Sequence, residues 1–301
     1  MQVDNFDDLF TGNPVDIEKN LSLLLPEAEK RSDKSVYLQI FSQIALAQAM
    51  QQKFELAHRT LDKAEQLVEP QYQLAKIRLL LERGRVYHQS DNLVEALSFF
   101  MQSYELAKSK TEFDFHTVNA AHMIAIVENN VNDKIKWNLL AIRLAEKTQD
   151  ERCHTWLGPI NNNLAQNYLE AERYAAALKL FEKCKNYAEA RGDQLVIRGA
   201  AWGIGRCMRG LCEYNNALEV QKDLLEQYEK IIREGSLAIE LIYISRGLVH
   251  EELAEIYLEK KLFELSKKHA RLAYNDLLKD PWMNKLYPER IQRMYELGQS
   301  V

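Results

Sequence analysis

A two-helix pattern that recurs about every forty residues along the whole chain limits the possible folds more than any other feature. Small residues mark it. Ala57, Ala96, Ala177 and Ala217 each open the second helix of a pair, and a bulky apolar residue follows four positions later at Leu61, Phe100 and Phe181. Tyr87 and Tyr168 stand about one helical turn before their loops. A unit of this length cannot bury its apolar face alone. It must stack on its neighbours, and the product is a solenoid whose long surface usually binds other chains. The expected fold is therefore all-α, a superhelix of about six helical hairpins with capping helices at both ends.

Composition supports helices over strands. Glycine and proline number only 11 and 6 in 301 residues, too few for the turns of a β-rich chain of this size. The formal net charge is −5, which argues against general nucleic-acid binding. No apolar run reaches the roughly 18 residues of a membrane span, and the acidic start from Met1 to Phe10 lacks the pattern of a secretion signal. Cys153, Cys184, Cys207 and Cys212 all fall within helical patterns and form no Cys-x-x-Cys pair. They read as reduced, semi-buried residues of a cytoplasmic protein.

Spacing places the helices. Residues 1–13 read as frayed, and a helix from about Asp16 to Arg31 is kinked or split by Pro26. The pairs are Tyr37–Met50 with Phe54–Leu67, Leu74–Gln89 with Leu93–Lys108, and Phe115–Asn129 with Lys134–Lys147. Then come Thr155–Glu170 with Tyr174–Arg191, Gln194–Leu211 with Tyr214–Arg233, and Leu237–Leu258 with Phe263–Leu278. Asp91-Asn92 supplies a turn and cap, and Gly192 and Gly235 end helices. In the third pair Ile124 and Ala125 both fit the small core position. The period lengthens around Gly235, so the flanking helices are expected to be longer than the rest. Residues 1–36 form a leader and cap, 37–279 the array, and 280–301 a terminal cap using Trp282, Tyr287, Ile291 and Tyr295.

At these positions the chain resembles the tetratricopeptide-repeat family. The fullest match is Leu164-Ala165, Tyr168, Ala177, Phe181 and Cys184, followed by Arg83-Gly84, Tyr87, Ala96 and Phe100. Ile44-Ala45 with Ala57, Leu61 and Ala64, Ile204-Gly205 with Ala217, and Leu253-Ala254 with Tyr257, Ala270 and Ala273 follow the same scheme. A large side chain at Gly84, Ala165 or Gly205 would push the second helix of its hairpin away. The longer period is similar to that of kinesin light chains, of bacterial peptide-sensing regulators, and of bacterial repeat proteins of unknown role that end in Asp-Pro-Trp.

The resemblance implies that the first helix of each pair lines a concave groove. Projection then gives Arg78, Arg85 and His88 in the second pair, Asn119, His122 and Asn129 in the third, and Asn162, Asn163 and Gln166 in the fourth. The fifth gives Trp202, Arg206 and Arg209, and the sixth Glu251 and Glu255. Arginine pairs bidentately with carboxylates, and Asn or Gln pairs with peptide backbone. The expected partner is a protein or peptide, acidic or with a free carboxylate, and neither nucleic acid nor membrane. The other reading is that Arg85, Arg206 and Arg209 pair with acidic residues of neighbouring helices, and that Trp202 is core. Self-association through Trp137, Trp156 or Trp282 is a further alternative.

Enzyme signals do not assemble. Gly203-Ile204-Gly205 and Gly210 lie in a helical pattern with no preceding strand, so helix packing explains them better than a nucleotide loop. His250, Glu251 and Glu252 are adjacent on a helix and point to different faces. No metal, cofactor or catalytic set is expected. The leading reading is a non-enzymatic scaffold that binds a peptide or protein segment in its groove. The alternative is a peptide-responsive regulator of the bacterial repeat-sensor type.

Overall fold

The computed structural model describes residues 10, 12–31, 34–235 and 239–299, without the side chains of residues 239–241, 281 and 282. Among these residues every regular element is helical. The helices are α1 (Pro14–Ser22), α2 (Leu25–Glu29), α3 (Ser35–Met50), α4 (Phe54–Glu65), α5 (Gln73–Gln89), α6 (Leu93–Ala107), α7 (Asp114–Val127) and α8 (Val131–Lys147). They continue with α9 (Leu157–Glu170), α10 (Tyr174–Glu189), α11 (Gln194–Gly210), α12 (Tyr214–Arg233), α13 (Ile239–Glu259), α14 (Phe263–Leu277), α15 (Pro281–Leu286) and α16 (Pro288–Gln299). Short 3-10 turns, Thr111–Phe113 and Glu151–Trp156, precede α7 and α9. The chain divides into two compact units, Met1–Asn163 and Leu164–Val301. The expected frayed segment at residues 1–13 and the expected helix start at Leu237 fall wholly or largely outside the described residues.

Pro26 splits the first helix as the sequence implies, because it sits in the first turn of α2, where its missing N–H costs nothing. Pro14 opens α1 in the same way, with Asn13 Oδ1 accepting from the Val15 N–H at 2.8 Å. Helices α12 and α13, on either side of Gly235, have 20 and 21 residues and are the longest pair, as the stretched period requires.

Five hairpins share one turn. Gln52, Asp91, Glu172, Cys212 and Lys261 all adopt positive φ, between 56° and 66°. Each stands two residues before its second helix begins. The N–H of the following residue bonds the carbonyl five positions back, as in Lys53 to Gln48, Asn92 to Tyr87 and Leu262 to Tyr257. These bonds satisfy carbonyls that the helix end leaves open. The third hairpin is different. Its turn runs through Glu128 in extended conformation to Asn130, whose Oδ1 caps α8. Three residues separate the helices there, as in the other hairpins, and both Ile124 and Ala125 are buried. That is why the sequence alone left the register open. Cys212 is a correction: it occupies an exposed turn, not a helix interior.

Close approach of the paired helices depends on glycine at two positions the sequence marked. A methyl group on Gly84 would stand 2.5 Å from the Phe100 ring, and one on Gly205 would meet the Gln221 side chain. Gly203 and Gly210 are packed against Phe181 and Tyr174 by the same means, so these glycines serve helix packing.

In the first unit, α1 and α2 bury Ile17, Leu21, Leu24 and Ala28 against Ile40, Ile44 and Ala47 of α3. Leu38, Leu61 and Leu79 fill the next layer, and Phe100, Ile77 and Ile124 the one after. In the second unit, Phe181 and Ile204 centre one cluster, and Leu224, Tyr228 and Leu253 the next. The last layer corrects the expected cap. Ile291 is buried, but Tyr287 and Tyr295 are exposed, and Met283, Met294 and Leu297 close the end against Ala270, Ala273 and Leu277. The Trp282 side chain lies outside the described residues.

Candidate functional site

The first helices carry the candidate residues, and in the first unit they are joined by a polar ladder. Gln43 of α3 donates to Glu82 of α5 at 3.1 Å. Arg85 of α5 clasps the same Glu82 at 2.7 and 2.9 Å, and its other amino group donates to Asn119 Oδ1 of α7 at 2.9 Å. Arg78 reaches Gln39 of α3. Glu82 is almost wholly buried. Its charge is tolerable there because Arg85 supplies a cation and Gln43 another donor. The ladder arises because Gln43 and Glu82 occupy equivalent positions, 39 residues apart, on adjacent first helices.

Arg85 is thus engaged with an acidic residue of its own helix, and its partner on the neighbouring helix is an asparagine. His88 is half-buried one turn further along α5, and burial holds its pKa below the usual histidine range. His122 is not on an open face. It is buried beside Trp156, at 5.3 Å between ring centroids, and burial lowers its pKa to about 4. Asn129 is also off the helix: α7 ends at Val127, and Asn129 is exposed in the turn. Trp137 packs edge-on against Tyr104, so neither Trp137 nor Trp156 stands free at the surface.

On α9, Asn161 is the inward asparagine, its amide donating to the Leu157 carbonyl at 2.6 Å. Asn162 and Gln166 are half-buried, one helical turn apart, and their amides make no hydrogen bond among the described residues. Sequence spacing put these two on one face of α9, because a helical period fixes which residues share a face.

The second unit holds the most charged constellation. Glu252 of α13 is 1% exposed. Arg209 of α11 donates to it through Nε at 2.7 Å and Nη2 at 3.3 Å. Burial alone would pull the Arg209 pKa down, but the Glu252 carboxylate more than reverses this and raises it. Arg206, one turn earlier, approaches the same carboxylate through Nε at 3.3 Å and lies 5.3 Å from the Trp202 ring centroid. Trp202 is partly buried, and its indole N–H donates to the Leu248 carbonyl at 3.2 Å. Trp202 is therefore both a packing residue and the floor beneath Arg206.

Two pairs from α16 extend this face. Arg290 grips Glu251 at 2.9 and 2.5 Å, and Arg293 grips Glu255 at 3.0 and 3.3 Å. Burial raises the Glu251 pKa, and Arg290 only partly opposes the shift. Sequence projection missed the arginine partners on α16 and missed Glu252. A period within one helix cannot report which residue of a later helix arrives opposite. Glu252 was set aside with His250 and Glu251 as pointing to separate faces, and the separation is real: His250 meets His269 at 3.0 Å, Glu251 meets Arg290, and Glu252 meets Arg209.

Chemically the described residues of the face offer hydrogen bonding and charge. No group of three or more His, Cys, Asp or Glu among the described residues could hold a metal ion. Burial raises the Cys153 and Cys207 thiols to about 11 and about 12, far from thiolate reactivity. No helix among the described residues is long and apolar enough to cross a membrane.

No protein-family model matches the sequence, and no curated protein matches it. Solved structures do. A signal transduction ATPase with numerous domains from Pyrococcus horikoshii, which carries a tetratricopeptide-repeat sensor, aligns over 94% of this chain at 16% identity with a TM-score of 0.62. The chain spans 44% of that protein's length. The apo form of RapI aligns over 94% of this chain and 79% of its own at 13% identity, TM-score 0.61. NprR in complex with its cognate peptide NprX aligns over 99% of this chain and 84% of its own at 14% identity, TM-score 0.61. Paired helices, small residues at their crossings and these neighbours agree: the chain has the fold of the tetratricopeptide-repeat proteins.

Proposed function

We propose that the protein is a non-enzymatic scaffold that binds a peptide or protein segment along the face of its first helices. The observation that carries this is hydrogen-bonding capacity left unspent on that face. In the second unit Gln166 is half-buried with no partner among the described residues, and Arg206 keeps both amino groups free of hydrogen bonds there. Amides so placed can pair with extended peptide backbone, and a guanidinium can pair with a carboxylate. An acidic segment, or one with a free carboxylate, is the expected ligand. Arg206, with its amino groups uncommitted, is the cation that would meet such a carboxylate.

The alternative is a peptide-responsive regulator. It is favoured by the similarity in fold to NprR, solved with its cognate peptide, and to a Rap protein solved with competence and sporulation factor, TM-score 0.54. Affinity capture from a lysate of the source organism tests the scaffold reading, comparing the native chain with Gln166→Ala and Asn162→Ala variants. A bound protein or peptide lost from either variant supports it. Identical capture by all three chains would remove these residues from the binding face. A captured peptide that changes the protease sensitivity of the chain would favour the regulator.

A further inference from the structure

The arginines of the second unit are not equivalent, and the difference singles out one of them. Arg209 spends Nε and Nη2 on Glu252. Arg290 and Arg293 each close on a carboxylate of their own through two donors. Arg206 has no carboxylate to itself. It shares Glu252, which Arg209 already holds more closely, and its only approach is through Nε at 3.3 Å. Its Nη1 and Nη2 make no hydrogen bond among the described residues, and its side chain is 32% exposed. The Trp202 ring lies beneath it, and the Trp202 N–H is fixed on the Leu248 carbonyl.

Arg209, Arg290 and Arg293 each close on a carboxylate through two donors, so Arg206 is the guanidinium among these four whose amino groups are uncommitted. It is also held in place. Its guanidinium lies 5.3 Å from the Trp202 ring centroid, within cation–π range, its amino edge carries no hydrogen bond among the described residues, and the ring contact limits the entropy that a ligand must freeze. A carboxylate laid against that edge gains two parallel charge-assisted bonds, and an apolar group beside it meets the exposed part of the Trp202 ring.

We infer that Arg206, floored by Trp202, is a subsite for a single carboxylate of the bound peptide. The inference rests on the peptide-binding reading above and assigns its charge recognition to one residue. Arg209 is a positioning residue that keeps Glu252 from fully occupying Arg206. The carboxylate comes either from a peptide C-terminus or from an Asp or Glu side chain.

The test uses the full-length chain and random octapeptides in two sets, one with free C-termini and one amidated. Bound peptides are identified by mass spectrometry. The native protein should enrich a carboxylate at one fixed place. Preference for the free set identifies the terminus, and an Asp or Glu at a constant position in both sets identifies a side chain. Arg206→Gln should lower affinity for the enriched peptides about tenfold or more while their amidated or Asn/Gln counterparts lose little. Because Arg206 makes only a loose ion pair with Glu252, which Arg209 still holds in the variant, this variant should melt close to the native chain, which separates lost binding from lost folding. Peptides bound equally by the native and Arg206→Gln chains, with no carboxylate preference, would overturn the subsite and leave peptide binding standing. Capture of no peptide from either set would overturn both.

Discussion

Arg209 and Glu252 lie 43 positions apart and meet through two hydrogen bonds, with the carboxylate 1% exposed. Removing the arginine would leave a buried charge with only the looser approach of Arg206 to offset it. Arg209→Ala should therefore cost about 3 kcal/mol in urea denaturation, and Arg209→Lys should recover only part, because an ammonium cannot match the fork. Arg206→Gln should stay within about 0.5 kcal/mol of the native chain. Equal losses for the two arginines would contradict the division of labour between them.

Gly84 and Phe100 define the closest crossing in the second hairpin. Gly84→Ala gains helix propensity but drives a methyl group to 2.5 Å from an aromatic ring. Overpacking of this kind costs about 1–3 kcal/mol, so net destabilisation is expected. Adding Phe100→Leu should relieve part of it. Denaturation of the two single variants and the double variant gives the coupling directly, and strict additivity would show that the ring is not what the methyl meets.

The five left-handed turn residues are an untapped source of stability. Glu172→Gly and Lys261→Gly should each raise the unfolding free energy by up to about 1 kcal/mol, since glycine escapes the left-handed penalty and returns only some of that gain as unfolded-state entropy. Asp91→Gly should gain less, because aspartate tolerates this conformation. Asn129→Gly should gain nothing, as its turn has no positive φ. A melting-temperature series across the four variants checks the order.

Burial lowers the pKa values of His122, His250 and His269 from 6.5 to about 4, about 3 and about 4. For His250 and His269 the 3.0 Å Nδ1···Nδ1 contact requires one ring to donate and the other to accept, so the two rings cannot both be protonated. The unfolded chain takes up protons below about pH 6.5, while the folded chain does not. Stability from these groups is thus present above pH 6.5 and declines as the pH falls toward 4. Urea midpoints measured at pH 7.5, 6 and 5 should fall in that order, and His269→Gln should flatten the decline. A midpoint that rose on acidification would reverse the assigned direction.

Much of the fold can be read from the sequence, because a helical hairpin is a local object. The positions of Ala57, Ala96, Ala177 and Ala217, Pro26 within the leader, and the stretch around Gly235 follow from periods and caps that act within a few turns of chain. The misplacements have local causes too. Asn129 falls in the turn because α7 ends two residues before the expected end, and a cap closed by methionines left Tyr287 and Tyr295 outside. Methionine carries little pattern of its own and fills whatever space the packing leaves.

The sequence by itself determined that this chain pairs helices at crossings of small residues and stacks the pairs, since hydrophobic period and side-chain size are written residue by residue. Only the tertiary structure decided that Arg85 and Arg209 are spent on Glu82 and Glu252, that His122 is enclosed, and that Arg206 retains free donors over Trp202. Those outcomes depend on which side chain of one helix meets which of another, a matter of distance between elements remote in sequence. The energy of a charge follows from its partner and its burial, and neither exists until the helices are packed.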